Sequence, residues 1–372
     1  MKKVINTTQY YQNLDLLRFF LSVSVVIYHI PRIAVTVLHV NIFDKLPIFH
    51  KGAEAVYFFF TLSGFLITRL LLKEKLALND IDLKKFYMRR VLRIWPVYFL
   101  VLLIGLTYYN VILPKMGIHG KDNYSIGTAL VLCLLFLSNV FQRIYSPGSA
   151  LAILWSIGVE EQFYLFWPVL FKKVKARFVL GILIVLYLVI FIYNFLTPSS
   201  LLIKYRFLFD FMIMGGISAI LVDKYQQLAI SLFTSLWCRI LFFILFILVF
   251  FTDVFNVVQG YNQQVYDSIC AIIASLLIIT LTYLPAVNRL NFLTYLGKVS
   301  YGIYMYHMLI VNFVLFVALK LNFTSTFSVS ELFFVLNFSV LVITFLFAHF
   351  SYKYFETYFL KLKDKFTKIK AQ

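Results

Sequence analysis

An all-α, polytopic integral membrane fold is predicted by three observations. Of 372 residues, 62% are hydrophobic and 13% charged, against roughly 45–50% and about 25% in a soluble domain, and the mean hydropathy is +0.88. Apolar runs of about 20 residues, the length that crosses a bilayer as a helix, recur along the whole chain. The segments between them gather the Lys and Arg into clusters, as membrane topology requires.

Eleven such runs can be read, near 15–38, 53–72, 94–113, 126–142, 150–171, 178–196, 205–222, 236–252, 265–284, 299–319 and 331–352. The first is a retained helix, not a cleavable signal: it is long, carries Arg18 and His29, and is followed by no small-residue cleavage pattern. Basic clusters fall at Lys2/Lys3, at 73–93, at 172–177, at Arg289/Lys298 and from Lys353 to Lys370. An even number of crossings between neighbours puts all five on one side, except that three runs separate Arg93 from Lys172, so one of the three cannot cross. The run 126–142 is the shortest and is flanked by the polar stretch His119-Gly120-Lys121-Asp122-Asn123 and by Ser146-Pro147-Gly148. It is therefore expected to be re-entrant or non-spanning on the outer side. The expectation is about ten transmembrane helices with both termini cytoplasmic, a single membrane domain over 1–352 and a basic cytoplasmic tail over 353–372, with no appended soluble domain.

The formal charge of +18, from 34 basic and 16 acidic residues, does not call for nucleic acid. Most of the cations lie where topology and anionic lipid account for them, so the bilayer is the expected partner. Cys133, Cys238 and Cys270 lie far apart in apolar runs and read as packing residues, with no metal site expected.

Chemistry concentrates in a few polar groups at membrane depth. The run Leu154-Trp155-Ser156-Ile157-Gly158-Val159-Glu160-Glu161-Gln162-Phe163-Tyr164 puts two carboxylates in an apolar span, where an unpartnered charge costs several kcal/mol. Arg18 and His29 are eleven residues apart, close to three full helical turns, so they share one face about 16 Å apart along the axis. They can address opposite ends of one elongated ligand. Arg90 and Arg93, three apart at a helix start, share a face and can fork onto phosphates at the inner interface. His307 lies about eight residues into its run, and Arg206 and Asp210, at i and i+4, are expected to form a local ion pair. Ser63 and Ser156 read as helix-to-helix hydrogen-bonding residues.

Taken together, these segments resemble the membrane acyltransferase 3 family of acyl-CoA-dependent O-acyltransferases, over nearly the whole chain. Leu14 through Phe20 followed by Tyr28-His29 matches the family's Arg-x10-His first helix. Phe58 through Thr68 is similar to its second helix, and Phe86 through Pro96 to its Arg-x-x-Arg segment. Trp155-Ser156 through Phe163-Tyr164 resembles its Trp-Ser-Leu-x-x-Glu-Glu-x-Phe-Tyr signature, and Leu296 through His307, with Ser300 and Tyr301, its late Gly-x-x-Ser-Tyr-x-x-Tyr-x-x-His block. Two departures stand out: Tyr57 occupies a position that is acidic in many members, with Glu54 one turn earlier, and Glu356 is followed by Thr357-Tyr358, not an Arg-Pro-like ending. No role is carried over to those positions.

The resemblance implies transfer of an acyl group, most often acetyl, from cytoplasmic acyl-CoA to a hydroxyl of an envelope glycan or lipid-linked sugar across a bacterial plasma membrane. Acyl-CoA enters as a donor substrate and no cofactor is expected. His29 is the candidate general base, since a histidine titrating near neutrality suits removal of a hydroxyl proton, with Glu160 or Glu161 assisting it. Arg90 and Arg93 would hold the CoA phosphates and Arg18 would guide the pantetheine arm. Ser63, Trp155, Ser156, Tyr164, Arg206, Ser300, Tyr301 and His307 would line the substrate path. The competing reading is a transporter or flippase in which the His, Glu and Arg relay protons or substrate; no matching halves of an inverted repeat are visible to support it.

Overall fold

The computed structural model describes residues 11–40, 45–117, 124–286 and 291–366. The basic residues Lys2, Lys3, Arg289, Lys368 and Lys370 and the stretch 119–123 lie outside the described residues. The described chain is helical throughout. Helices of eight residues or more are, in order, α1 (Gln12–Leu38), α2 (Gly52–Leu78), α3 (Leu83–Thr107), α4 (Ile126–Leu134), α5 (Ser138–Tyr145), α6 (Leu154–Lys173), α7 (Ala176–Leu196) and α8 (Phe209–Lys224). They continue with α9 (Gln226–Thr234), α10 (Leu236–Phe251), α11 (Gln263–Tyr283), α12 (Asn291–Lys298), α13 (Ser300–Lys320), α14 (Val329–Ser351) and α15 (Thr357–Asp364).

Helix ends follow local chemistry. Asp82 caps α3 by accepting from the Lys85 amide at 3.1 Å, and Ser125 caps α4 by accepting from Thr128 at 3.0 Å. Ser328 and Glu331 form a reciprocal capping box at the start of α14. Asn79 closes α2 in the left-handed region, φ 54°, where asparagine is among the tolerated residues.

Among the described residues, seven helices are long and apolar enough to cross a membrane: α1, α2, α3 extended to Lys115, α7, α11, α13, and α14 extended to Asp364. The pair α9–α10, bent by 75°, makes up to eight. The difference from the expected ten lies in α6, whose hydropathy is lowered by Glu160, Glu161 and Gln162, and in α8, which has 16 residues. The run 126–142 breaks in two at Phe136, φ 56°. Neither piece, at 9 and 8 residues, approaches the ~30 Å of a bilayer core. Gln162 holds the break against α6 by donating to the Phe136 carbonyl at 2.7 Å.

At the centre stands α2, packed against α1, α6, α8 and α11. Its crossing with α8 brings backbones together: a Cβ on Gly64 would overlap the Met212 carbonyl, and one on Gly215 the Thr61 carbonyl. Small residues at such crossings replace the hydrophobic drive that lipid does not supply. Along α1 and α2, Gly52 lies against the Tyr28 ring and Arg69 stacks over Tyr11 at 5.2 Å. The two helices are therefore antiparallel neighbours, in a register that sets Ser63 opposite Leu17.

Candidate functional site

A cavity of about 650 Å³ lies between α1, α2, α3, α6, α13 and α15. Its lining includes Lys73, Lys363 and Asp364 towards the C-terminal ends of α2 and α15, and Phe59, Ser156 and Tyr304 towards the N-terminal ends of α2, α6 and α13. Nine of the residues singled out in the sequence line it: Arg18, Ser63, Arg90, Arg93, Ser156, Glu160, Tyr164, Ser300 and Tyr301.

Its lining holds seven cations against three carboxylates. Arg18 is bonded to Asp15, Arg69 pairs with Asp223 at 3.5 Å, and Arg89 with Glu74 at 2.8 Å in a buried ion pair. Arg90 lies over the Tyr164 ring at 5.6 Å and makes no ion pair among the described residues; the same holds for Arg93, which is exposed. These two arginines are thus left with charge to offer an incoming anion. Arg69, Tyr304 and Lys363 were not among the expected site residues. Arg69 and Lys73 stand i, i+4 on α2, the spacing that would have found them.

Glu160 enters the cavity and accepts a hydrogen bond from the Ser63 hydroxyl. Glu161, one residue on, points to a different neighbour and accepts from Trp95 Nε1 at 2.9 Å. Tyr301 donates to the Ile94 carbonyl at 2.7 Å, tying α13 to α3.

His29 is not part of this lining. Its ring lies 5.3 Å from that of His307, between centroids, and among the described residues no hydrogen bond joins it to Glu160 or Glu161. The reason is depth. Glu160 is anchored to Ser63, which sits opposite Leu17, and the helical rise separates that level from His29 by about 16–18 Å. Tyr304 bridges the two levels: its hydroxyl meets Ser156 Oγ at 2.7 Å at the cavity's inner end, and its ring lies 5.7 Å from His307. The Nδ1–H of His307 donates to the Tyr304 carbonyl at 2.5 Å, which leaves the buried Nε2 as an acceptor without a partner among the described residues.

Trp155 and Arg206 form a further group on the side of Ser156 away from Glu160. Trp155 packs edge-on to Phe60 at 5.9 Å, and the Arg206 guanidinium lies over the Trp155 ring at 4.8 Å. The expected Arg206–Asp210 ion pair does not form. Arg206 has φ 55° and α8 begins only at Phe209, so the two residues never share a helical face; Asp210 instead accepts from Gln264 at 3.0 Å.

Residues 11–352 match the family model described as "Acyltransferase domain". The chain belongs to this acyltransferase family. The chain is similar to O-acetyltransferase OatA of Staphylococcus aureus (strain NCTC 8325 / PS 47), 26% identical over 338 residues that cover 82% of this chain and 51% of OatA. A protein of S. aureus (strain COL), SACOL0978, provisionally named an O-acetyltransferase, is 26% identical over 387 residues, 95% of this chain and 58% of its own length. This acyltransferase chain thus spans a little over half the length of the curated relatives it matches. No solved structure matches it. With its apolar helices, the acyltransferase is a multi-pass membrane protein.

Proposed function

We propose that the protein transfers an acyl group, in the simplest case acetyl, from cytoplasmic acyl-CoA to a hydroxyl of an envelope polysaccharide or lipid-linked sugar on the other side of a bacterial plasma membrane. One observation carries the reading: a cation-rich cavity is lined as far as the Ser156–Tyr304 contact, and beyond Tyr304 stands the His29–His307 pair. A phosphate-bearing donor with a long arm that offers amide groups fits a site with arginines at one end and a mixed hydroxyl and aromatic lining beyond.

Arg90 and Arg93 hold the donor phosphates, where fork geometry and charge both favour a phosphoanion. The arm runs past Arg18 and Ser63 and sets the thioester near Ser156 and Tyr304. His29 takes the proton of the acceptor hydroxyl as its oxygen attacks the thioester carbonyl; the C–S bond breaks, the ester forms, and the histidinium returns the proton to the CoA thiolate. Glu160 and Glu161 act on the histidine through the field of the closed site, without a hydrogen bond to it. Both termini lie in the cytoplasm, and residues 1–352 work as one membrane domain with 353–372 as its basic tail.

The test is CoA release from acetyl-CoA by protein in nanodiscs, with and without a crude envelope-glycan extract. Glycan-stimulated release is expected from wild type. His29→Ala should lose about 10²–10⁴-fold, and Arg93→Ala should recover at high acetyl-CoA. Full activity in His29→Ala would remove the histidine from its assigned role. Failure of the wild type to bind or turn over any acyl-CoA would favour a translocation role.

A further inference from the structure

Arg206 is a cation that turns away from the carboxylate nearest to it in sequence. It is half-buried at the end of the bundle opposite Arg90 and Arg93, since α6 carries Trp155 at one end and, at the other, Lys172, whose ammonium meets Asp80 at the α2–α3 turn at 2.9 Å. Its backbone is left-handed at φ 55°, which costs a non-glycine residue about 1–3 kcal/mol and is a strain that collects at ligand clamps. Three contacts hold the loop in that shape. The Phe207 amide donates to the Leu202 carbonyl at 2.8 Å, Asn139 Nδ2 to the Tyr205 carbonyl at 2.8 Å, and Arg143 Nε to the Lys204 carbonyl at 2.7 Å. The outcome is a guanidinium held over the Trp155 ring at 4.8 Å, with no ion pair among the described residues. Arg143 and Lys204 stand exposed on the same loop and helix, also without an ion pair there. Uncompensated cations at this end run against the distribution that membrane topology imposes.

We propose that Arg206, flanked by Arg143 and Lys204, is a subsite for a phosphate group on the acceptor, so that the preferred acceptor is a phosphate-bearing sugar. This rests on the acyl-acceptor reading above and narrows it. A guanidinium held against an aromatic face, with no carboxylate taking its N–H groups, is preorganised for bidentate contact with a phosphoanion. Trp155 adjoins Ser156, whose contact with Tyr304 leads to His307 and His29, so a phosphate at Arg206 would orient the rest of the acceptor towards the base.

The test compares wild type, Arg206→Gln and Arg206→Lys in phosphatidylcholine nanodiscs, with glucose 1-phosphate and glucose as acceptors of acetyl from acetyl-CoA. Arg206→Gln should raise KM for glucose 1-phosphate roughly ten- to a hundredfold, far more than it changes KM for glucose, and be only partly rescued by Arg206→Lys. Equal effects on both acceptors, or none, would overturn the subsite. Should Arg206→Gln fail to fold, the exposed Arg143→Gln/Lys204→Gln pair must raise the same KM alone. Thermal stabilisation by glucose 1-phosphate, measured in an Arg90→Ala/Arg93→Ala background that removes the donor clamp, serves independently of turnover: it must be present there and be lost when Arg206→Gln is added, even if no acyl transfer is seen. Loss of that stabilisation when anionic phosphatidylglycerol is added would identify a lipid headgroup as the occupant and overturn the acceptor subsite.

Discussion

Ser63 directs its hydroxyl at Glu160 and Trp95 its indole N–H at Glu161, and these contacts sort two adjacent carboxylates into different environments. Ser63→Ala strands Glu160 without its donor; the expected cost is about 1–3 kcal/mol, read as a lower detergent melting temperature and reduced acetyl-CoA binding. The buried Arg89–Glu74 pair gives a larger effect: Glu74→Gln leaves an arginine uncompensated and should cost about 3–5 kcal/mol, measured by thermal unfolding. The candidate site side chains were legible from residue type and depth, because Arg18, Arg90, Arg93, Glu160 and His29 are each costly in lipid. Their partners were not. Glu160 could be placed beside Ser63 instead of His29 only with the register of α1 against α2, which no spacing within one helix encodes. Arg206 and Asp210 were misread because an i, i+4 pair presupposes a helix, and the chain is left-handed at Arg206.

Helices long in apolar residues were visible as runs, while their breaks were not always so. Phe136 carries a positive φ with no glycine, proline or asparagine to announce it, yet the polar flanks of 126–142 marked the run as one that does not cross. The α2–α8 crossing makes a sharper prediction. Gly64→Ala or Gly215→Ala puts a methyl group into an opposing backbone carbonyl, and overpacking of this kind costs about 1–3 kcal/mol. Either variant should melt earlier in detergent, and the larger Gly64→Val should not accumulate in membranes.

At the scale of the molecule, seven or eight segments among the described residues satisfy the length and apolarity of a span, and α8 does not need to. Sixteen residues rise about 24 Å, and α8 is sheltered by α2, α7 and α11 instead of lipid. The proposed topology is testable by thiol labelling of intact cells in a Cys133→Ala/Cys238→Ala/Cys270→Ala background. Ser146→Cys and Ser199→Cys should react from outside, and Lys84→Cys and Lys175→Cys only after permeabilisation; the opposite pattern would invert the topology and with it the side on which the donor binds. The close approach of Gly64 to α8 also sets a schedule for biogenesis. Its partner surface is encoded about 150 residues later, so at about 5–20 residues per second the ribosome needs roughly 8–30 s to supply it. Through that interval α2 waits in the bilayer with its glycine face bare and its Arg69 without Asp223 of α8, and any chain halted before Phe209 presents that unfinished face to the membrane's quality-control proteases.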